Sequence, residues 1–129
     1  MDESLISNPV GWFEIYVSDM ERARAFYGRV FGRSLTALPD VEAGREIYLF
    51  SGSEDGKGIN GALVKHPLAY PGRGGVLVYF SCRDVAVEAQ RALEAGGLIA
   101  RKKTAIGQYG FVALVEDSEG NLIGLHSQR

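Results

Sequence analysis

Between Trp12 and Gly32 the chain first alternates and then changes period. Residues 12–17 divide into Phe13, Ile15 and Val17 on one side and Trp12, Glu14 and Tyr16 on the other. That is the period-2 pattern of a strand with one uniformly apolar face. From Met20 the spacing becomes three and four: Met20, Ala23, Phe26, Tyr27, Val30 and Phe31 form an apolar stripe beside Glu21, Arg22, Arg24 and Arg29, which predicts an amphipathic helix. Ser18 with Glu21 three residues on has the form of a capping box. Gly32 suits the left-handed position that ends a helix. The stretch reads as a strand and a helix whose apolar faces meet.

The same outline returns 65 residues later, with Asp84 standing where Asp19 stood (84 − 19). Val76, Val78 and Phe80 alternate with Leu77, Tyr79 and Ser81. Asp84 then caps a helix carrying Val85, Val87, Ala89, Ala92, Leu93 and Ala95, and Gly97 matches Gly32 as its stop. Each helix is followed by three strand patterns: 34–37, 45–50 and 59–64 in the first copy, and 98–103, 109–116 and 122–126 in the second. Gly- and Asp-rich turns such as 53–58 and 117–121 separate them. The chain is therefore an internal duplication of a βαβββ module. Module one spans 9–66, a Pro/Gly-rich linker 67–75, and module two 76–126, within a single domain of residues 1–129.

Composition narrows the possibilities. A length of 129 residues with 46% hydrophobic content fits one domain with a substantial core. A net charge of −2 gives no general attraction to nucleic acid or anionic lipid. No apolar run approaches the roughly 20 residues that span a bilayer, and the polar lead 1–8 is acidic where a signal peptide is basic. These features predict a cytoplasmic protein with neither nucleic acid nor membrane as partner. The single cysteine, Cys82, cannot form an internal disulfide, and with no His or cation pair beside it in sequence it reads as a small core residue.

Two βαβββ modules of this length, the run D-x-E-R-A-x-x-F-Y-x-x-x-F-G from Asp19 to Gly32 and D-x-E-G-N from Asp117 to Asn121 resemble the vicinal oxygen chelate superfamily. That superfamily includes glyoxalase I, extradiol dioxygenases, fosfomycin-resistance enzymes and bleomycin-resistance proteins. The resemblance implies an α+β fold in which the two tandem modules form a curved mixed sheet around a concave cavity, with the helices on the convex side. It also implies a homodimer holding a small-molecule ligand or substrate. On this scheme Trp12, Glu14, Tyr16, Leu77, Tyr79 and Ser81 face the cavity. Phe13, Ile15, Val17, Val76, Val78 and Phe80 lie beneath the helices.

In metal-dependent members of that superfamily, His and Glu on the first and last strands of each module hold a divalent ion, since imidazole and carboxylate suit such ions and leave positions for substrate oxygens. The corresponding slots here are Trp12 and Leu77 on the first strands, Asn60 or Ala62 in module one and Gly124 in module two. None is a family ligand, so neither a divalent metal cofactor nor glyoxalase I or dioxygenase chemistry is expected. Glu14 and His126, two residues along from Trp12 and Gly124, leave a displaced site conceivable.

Glu14 is the sharpest chemical feature, a carboxylate on an otherwise aromatic strand face. Burial raises a carboxyl pKa and can make a general base of it; alternatively the group is tied to a donor such as Tyr79, its counterpart in module two. Two readings of function follow. The first is a glyoxalase-like binder of a small, partly aromatic or amphipathic molecule, gripped by Trp12, Tyr16, Tyr48, Leu77 and Tyr109. The second is a metal-independent isomerase, epimerase or lyase with Glu14 as base and Tyr79 or His126 as proton donor. Arg45, Arg73, Arg101, Lys102 and Lys103 either form a solvated charged surface or meet an anionic ligand at the cavity mouth.

Overall fold

A computed structural model of the protein describes residues 8–39, 42–53 and 55–129. The polar lead, apart from Asn8, lies outside them. The chain is α+β and follows the order β1(Val10–Tyr16), α1(Met20–Phe31), β2(Leu35–Ala37), β3(Glu46–Phe50), β4(Gly61–Lys65), β5(Val76–Ser81), α2(Val85–Glu94), β6(Leu98–Ala105), β7(Phe111–Glu116), β8(Leu122–Ser127). It divides into two compact units. One is Trp12–Val76; the other is Leu77–Arg129 joined by residues 8–11. Each repeats the expected strand-helix-three-strand outline. Among the described residues no helix is long and apolar enough to cross a membrane.

In the first unit the strand order is β2-β3-β4-β1. β1 runs parallel to β4, with Phe13 opposite Gly61, Glu14 opposite Ala62 and Tyr16 opposite Val64. β3 is antiparallel to both β2 and β4. A parallel neighbour needs a long crossover, and α1 with the β2–β3 hairpin supplies it. The helix starts one residue later than the capping-box reading places it. Asp19, not Ser18, is the N-cap, its Oδ1 accepting from the Arg22 N–H at 3.0 Å. Ser18 Oγ instead accepts from the Arg22 guanidinium. A short carboxylate at Asp19 reaches the N3 amide directly and leaves no orphan donor there for Ser18. Gly32 ends the helix at φ 65, where a Cβ would be strained.

The apolar stripe of α1 is split by the packing. Met20, Ala23 and Tyr27 join Phe13, Ile15, Val17, Leu35, Phe50 and Leu63 in the core between helix and sheet. Phe26, Val30 and Phe31 remain 58%, 53% and 61% exposed. The packed part of the stripe is thus its first two-thirds, and the last turn carries its apolar side chains outward.

The second unit has the order β5-β8-β7-β6. β5 is parallel to β8, with Tyr79 opposite Gly124 and Ser81 opposite His126, and β7 is antiparallel to β8 and β6. Val85 and Ala89 of α2 pack on Ala113, Val115 and Leu125, with Phe80 and Cys82 beside them. Asp84 caps α2 as expected, and Ser127, 1% exposed, accepts from the Val85 N–H at 3.1 Å. The helix stop differs from the repeat reading. Gly96, at φ 99, takes the left-handed conformation that Gly97 was expected to supply. Gly97 instead approaches the Glu116 and Ala92 carbonyls so closely that no Cβ would fit. Val76, expected beneath α2, is exposed, and residues 107–109 form a 3-10 turn rather than the start of β7.

Candidate functional site

Alternation along β1 gives the first unit two unlike faces. Phe13 and Ile15 pack toward α1, with Val17 just past the strand. Trp12 and Tyr16 pack on the other side with Ile47, Ala62, Val64, Leu38 and Leu49. This is the division expected from period 2. Glu14 lies between Trp12 and Tyr16 on that second face, beside the methyl of its register partner Ala62.

The carboxylate is not isolated in this apolar setting. Tyr16 O–H donates to Glu14 Oε1 at 3.2 Å, both groups being partly buried. Burial, then the Glu14 charge and this hydrogen bond, push the Tyr16 phenol far above its ordinary value of 10.0, while the positive charge of Arg45 acts in the opposite sense. Tyr16 therefore stays protonated as a donor throughout the physiological range. Arg45 precedes β3 and lies in phase with Ile47 and Leu49, which places it on the Trp12–Tyr16 face. Its side chain is 24% exposed and comes no closer than 4.0 Å to the exposed carboxylate of Glu42.

Tyr48 lies apart from this group. It packs in the helix-side core, with Arg24 of α1 over its ring at 4.2 Å from the centroid. A wall role beside Trp12 and Tyr16 is thus corrected by strand phase: Tyr48 alternates with Ile47 and Leu49 and follows Phe50 toward the helix. The same alternation identifies Arg45, whose position on the inward face was visible as Arg45-x-Ile47-x-Leu49.

In the second unit, β5 and β8 bring Leu77, Tyr79 and His126 to one face, opposite Phe80 and Leu125. Leu77 is only 2% exposed and is a core residue rather than an open wall. The Tyr79 ring lies over Gly124, its Cε1 and Cγ 2.6 and 2.8 Å from where the centre of a Cβ would stand and its Cδ1 nearer still. His126 Nε2 donates to the carbonyl of Tyr109 at 2.5 Å, which fixes the ring against the 3-10 turn and commits that nitrogen. The Tyr109 side chain itself is exposed.

The slots at which the family resemblance implies metal ligands hold other chemistry. Ala62 is fully buried and without a donor, the Asn60 amide donates to the Phe50 carbonyl at 2.9 Å, and the space a ligand at Gly124 would occupy is filled by the Tyr79 ring. Among the described residues no three His, Cys, Asp or Glu side chains gather as a metal-binding set. The polar groups described on the first unit's face include the Glu14 carboxylate, the Tyr16 phenol and the Arg45 guanidinium.

Comparison with solved structures places this architecture among known ones. The chain is similar to a hypothetical protein from Bacillus halodurans C-125, with TM-score 0.71 and 16% identity over 95% of this chain and 96% of that one. It is similar to methylmalonyl-CoA epimerase from Mycobacterium tuberculosis, with TM-score 0.65 and 15% identity over 94% and 88% of the two chains. A Streptomyces coelicolor methylmalonyl-CoA epimerase variant in complex with 2-nitronate-propionyl-CoA gives TM-score 0.64 and 16% identity over 92% and 93%. At such identities the likeness is one of fold. Among curated proteins nothing matches the sequence. The profile of one family, however, matches residues 10–125, nearly the whole chain, and the protein belongs to the glyoxalase/bleomycin resistance protein/dioxygenase superfamily.

Proposed function

We propose that the Trp12–Glu14–Tyr16 face binds a small amphipathic molecule bearing a carbonyl group, and that it does so without a divalent metal. The observation that carries this reading is the Tyr16–Glu14 hydrogen bond on a face otherwise lined by Trp12, Ile47 and Leu49. An apolar wall with a few convergent polar groups is the usual make-up of a small-molecule site. The aromatic wall gives contact area, and the polar pair gives orientation. Because Trp12 is the chain's one tryptophan, its emission reports binding at this face. Titration with aromatic acids, propionyl-CoA and methylmalonyl-CoA is expected to give a saturable change for at least one class, with a matching rise in apparent thermal stability. A panel that leaves both Trp12 emission and the unfolding temperature unmoved overturns the reading.

The same carboxylate favours a second reading, a metal-independent epimerase or isomerase. Glu14 would take a proton from the carbon beside the carbonyl, the C–H pair would pass to the carbonyl as an enolate, and return of a proton to that carbon would complete the reaction with no net oxidation. That two of the similar folds are methylmalonyl-CoA epimerases supports this direction. Incubation with acyl-CoA thioesters in D2O, followed by mass spectrometry, tests it. Deuterium uptake that Glu14→Gln abolishes while ligand affinity stays within a few-fold supports Glu14 as base; no uptake by wild type leaves binding alone.

A further inference from the structure

We propose that Arg45 is the residue by which this face recognises a carboxylate on its ligand, so that the preferred class is a singly charged amphipathic acid rather than a neutral molecule. The inference rests on the reading that the Trp12–Tyr16 face is a small-molecule site and adds the charge of what it takes.

Three observations support it. First, Arg45 is in phase with Ile47 and Leu49 and therefore belongs to the same face as Trp12, Glu14 and Tyr16. Its charge is felt at the Tyr16 phenol. Second, the guanidinium is poorly neutralised where it stands. Its nearest carboxylate oxygen among the described residues is Glu42 Oε2, at 4.0 Å and on a side chain 73% exposed. A buried Nε–H of the same group has no acceptor there either. Proteins seldom leave a buried guanidinium N–H such as this Nε–H unmatched, because it loses water without regaining a partner. Third, part of the side chain remains accessible, so an incoming acceptor can reach it.

The chemistry selects a carboxylate. A planar fork of N–H donors matches a two-oxygen planar acceptor and can bind it through two parallel hydrogen bonds. Glu14 on the same face already supplies one negative charge. With Arg45 the face is close to neutral before binding, and a dianion would meet repulsion from Glu14 that a monoanion meets only once. The aryl or alkyl portion of such an acid would then lie against Trp12, Ile47 and Leu49.

The test uses a pair of probes matched in shape and differing in charge, 3-phenylpropionate and 3-phenylpropionamide, titrated against Trp12 emission at neutral pH and moderate salt. Wild type is expected to bind the acid at least 10-fold more tightly than the amide, from the fork's charge-assisted hydrogen bonds. Arg45→Gln is expected to bring the two affinities to within about 2-fold of each other, leaving that for the amide nearly unchanged. Arg45→Lys, which keeps charge and loses the fork, is expected to fall between and guards against a folding defect in the Gln variant. Both variants are checked by their unfolding curves. If wild type prefers the acid and Arg45→Gln retains that preference, the proposal fails and the binding reading stands. If neither probe perturbs Trp12 in wild type, the proposal falls together with the reading beneath it for this class of ligand.

Discussion

Gly124 offers the most direct test of how the Tyr79 ring packs in module two. The Tyr79 ring lies across the glycine's bare face, and a Cβ added at 124 would sit 2.6 Å from Tyr79 Cε1 and 2.8 Å from Cγ. Non-bonded carbons prefer about 3.5–4.0 Å, so close to 1 Å of relief is needed at each contact. The ring is half-buried and belongs to the strand beside β8, in parallel register with Gly124 at this pair. It can swing only by giving up packing. Overpacking of this kind costs about 1–3 kcal/mol, and for a chain of 129 residues each kcal/mol corresponds to roughly 3–5 °C in Tm. Gly124→Ala is therefore expected to lower Tm by about 3–15 °C, read by thermal and urea unfolding. The decisive comparison is the same substitution in a Tyr79→Ala background. With the ring gone the Cβ has room, and replacing a strand glycine by alanine then favours the folded state by about 0.5–1 kcal/mol. The sign of the effect should reverse. Equal destabilisation in both backgrounds would refute the claim that the ring and the missing Cβ share one space.

Three further perturbations probe the polar groups that hold the modules. Tyr16→Phe removes the donor to Glu14 and should cost about 1 kcal/mol at neutral pH. Because the folded Tyr16 holds its proton more tightly than the unfolded one, its contribution is complete below pH 10 and is lost as pH rises toward the folded value, so the gap between wild type and variant, followed by urea unfolding, should narrow above pH 10. The Lys103 ammonium and the Ala86 N–H hold Asp84 below its ordinary value of 3.8. Its contribution is present above that value and lost as pH falls through the lowered one, and Asp84→Asn should flatten the acid limb of the circular-dichroism stability profile. Ser127→Ala leaves the buried Val85 N–H without its acceptor and should destabilise by about 1–3 kcal/mol in chemical denaturation, with little change in m-value.

What the sequence made legible was whatever depends on period and local chemistry. The alternation of Trp12 to Val17 sorted the two faces of β1 correctly, and the helix-cap aspartate at 84 and the stop at Gly32 are local events settled within four residues. The errors fall where neighbours in space decide. Ser18 and Asp19 are both good caps, and only the distance from Asp19 Oδ1 to the Arg22 N–H separates them. Gly96 and Gly97 both suit a helix stop, but the Glu116 carbonyl fits only beside a residue with no side chain, which assigns Gly97 to close approach and Gly96 to the turn. Residue type groups Tyr48 with the cavity aromatics, whereas its phase with Phe50 points it to the helix. The bond from His126 to the Tyr109 carbonyl depends on a 3-10 turn that the run 109–116 disguised as strand.

The duplicated scaffold places Glu14 and Tyr79 at one and the same point of their modules, each on the strand before the helix and each opposite a small residue of the last strand, Ala62 in one copy and Gly124 in the other. The physical outcome differs. In module two the partner is cut back to glycine and a phenol ring takes the volume, so the position is occupied by packing and its chemistry is confined to one hydroxyl. In module one the partner keeps a methyl, the side chain is a carboxylate, and a neighbouring phenol on the same strand hydrogen-bonds it. Keeping a carboxylate in a partly buried, largely apolar setting requires compensating donors, of which the Tyr16 O–H is one. The carboxylate at this point serves either the fold, through its donors, or a ligand. A Glu14→Gln variant puts this to measurement. If the carboxylate serves the fold, the substitution should lower stability and leave Trp12 titrations unchanged; if it serves a ligand, stability should hold to within about 1 kcal/mol while binding or proton exchange is altered.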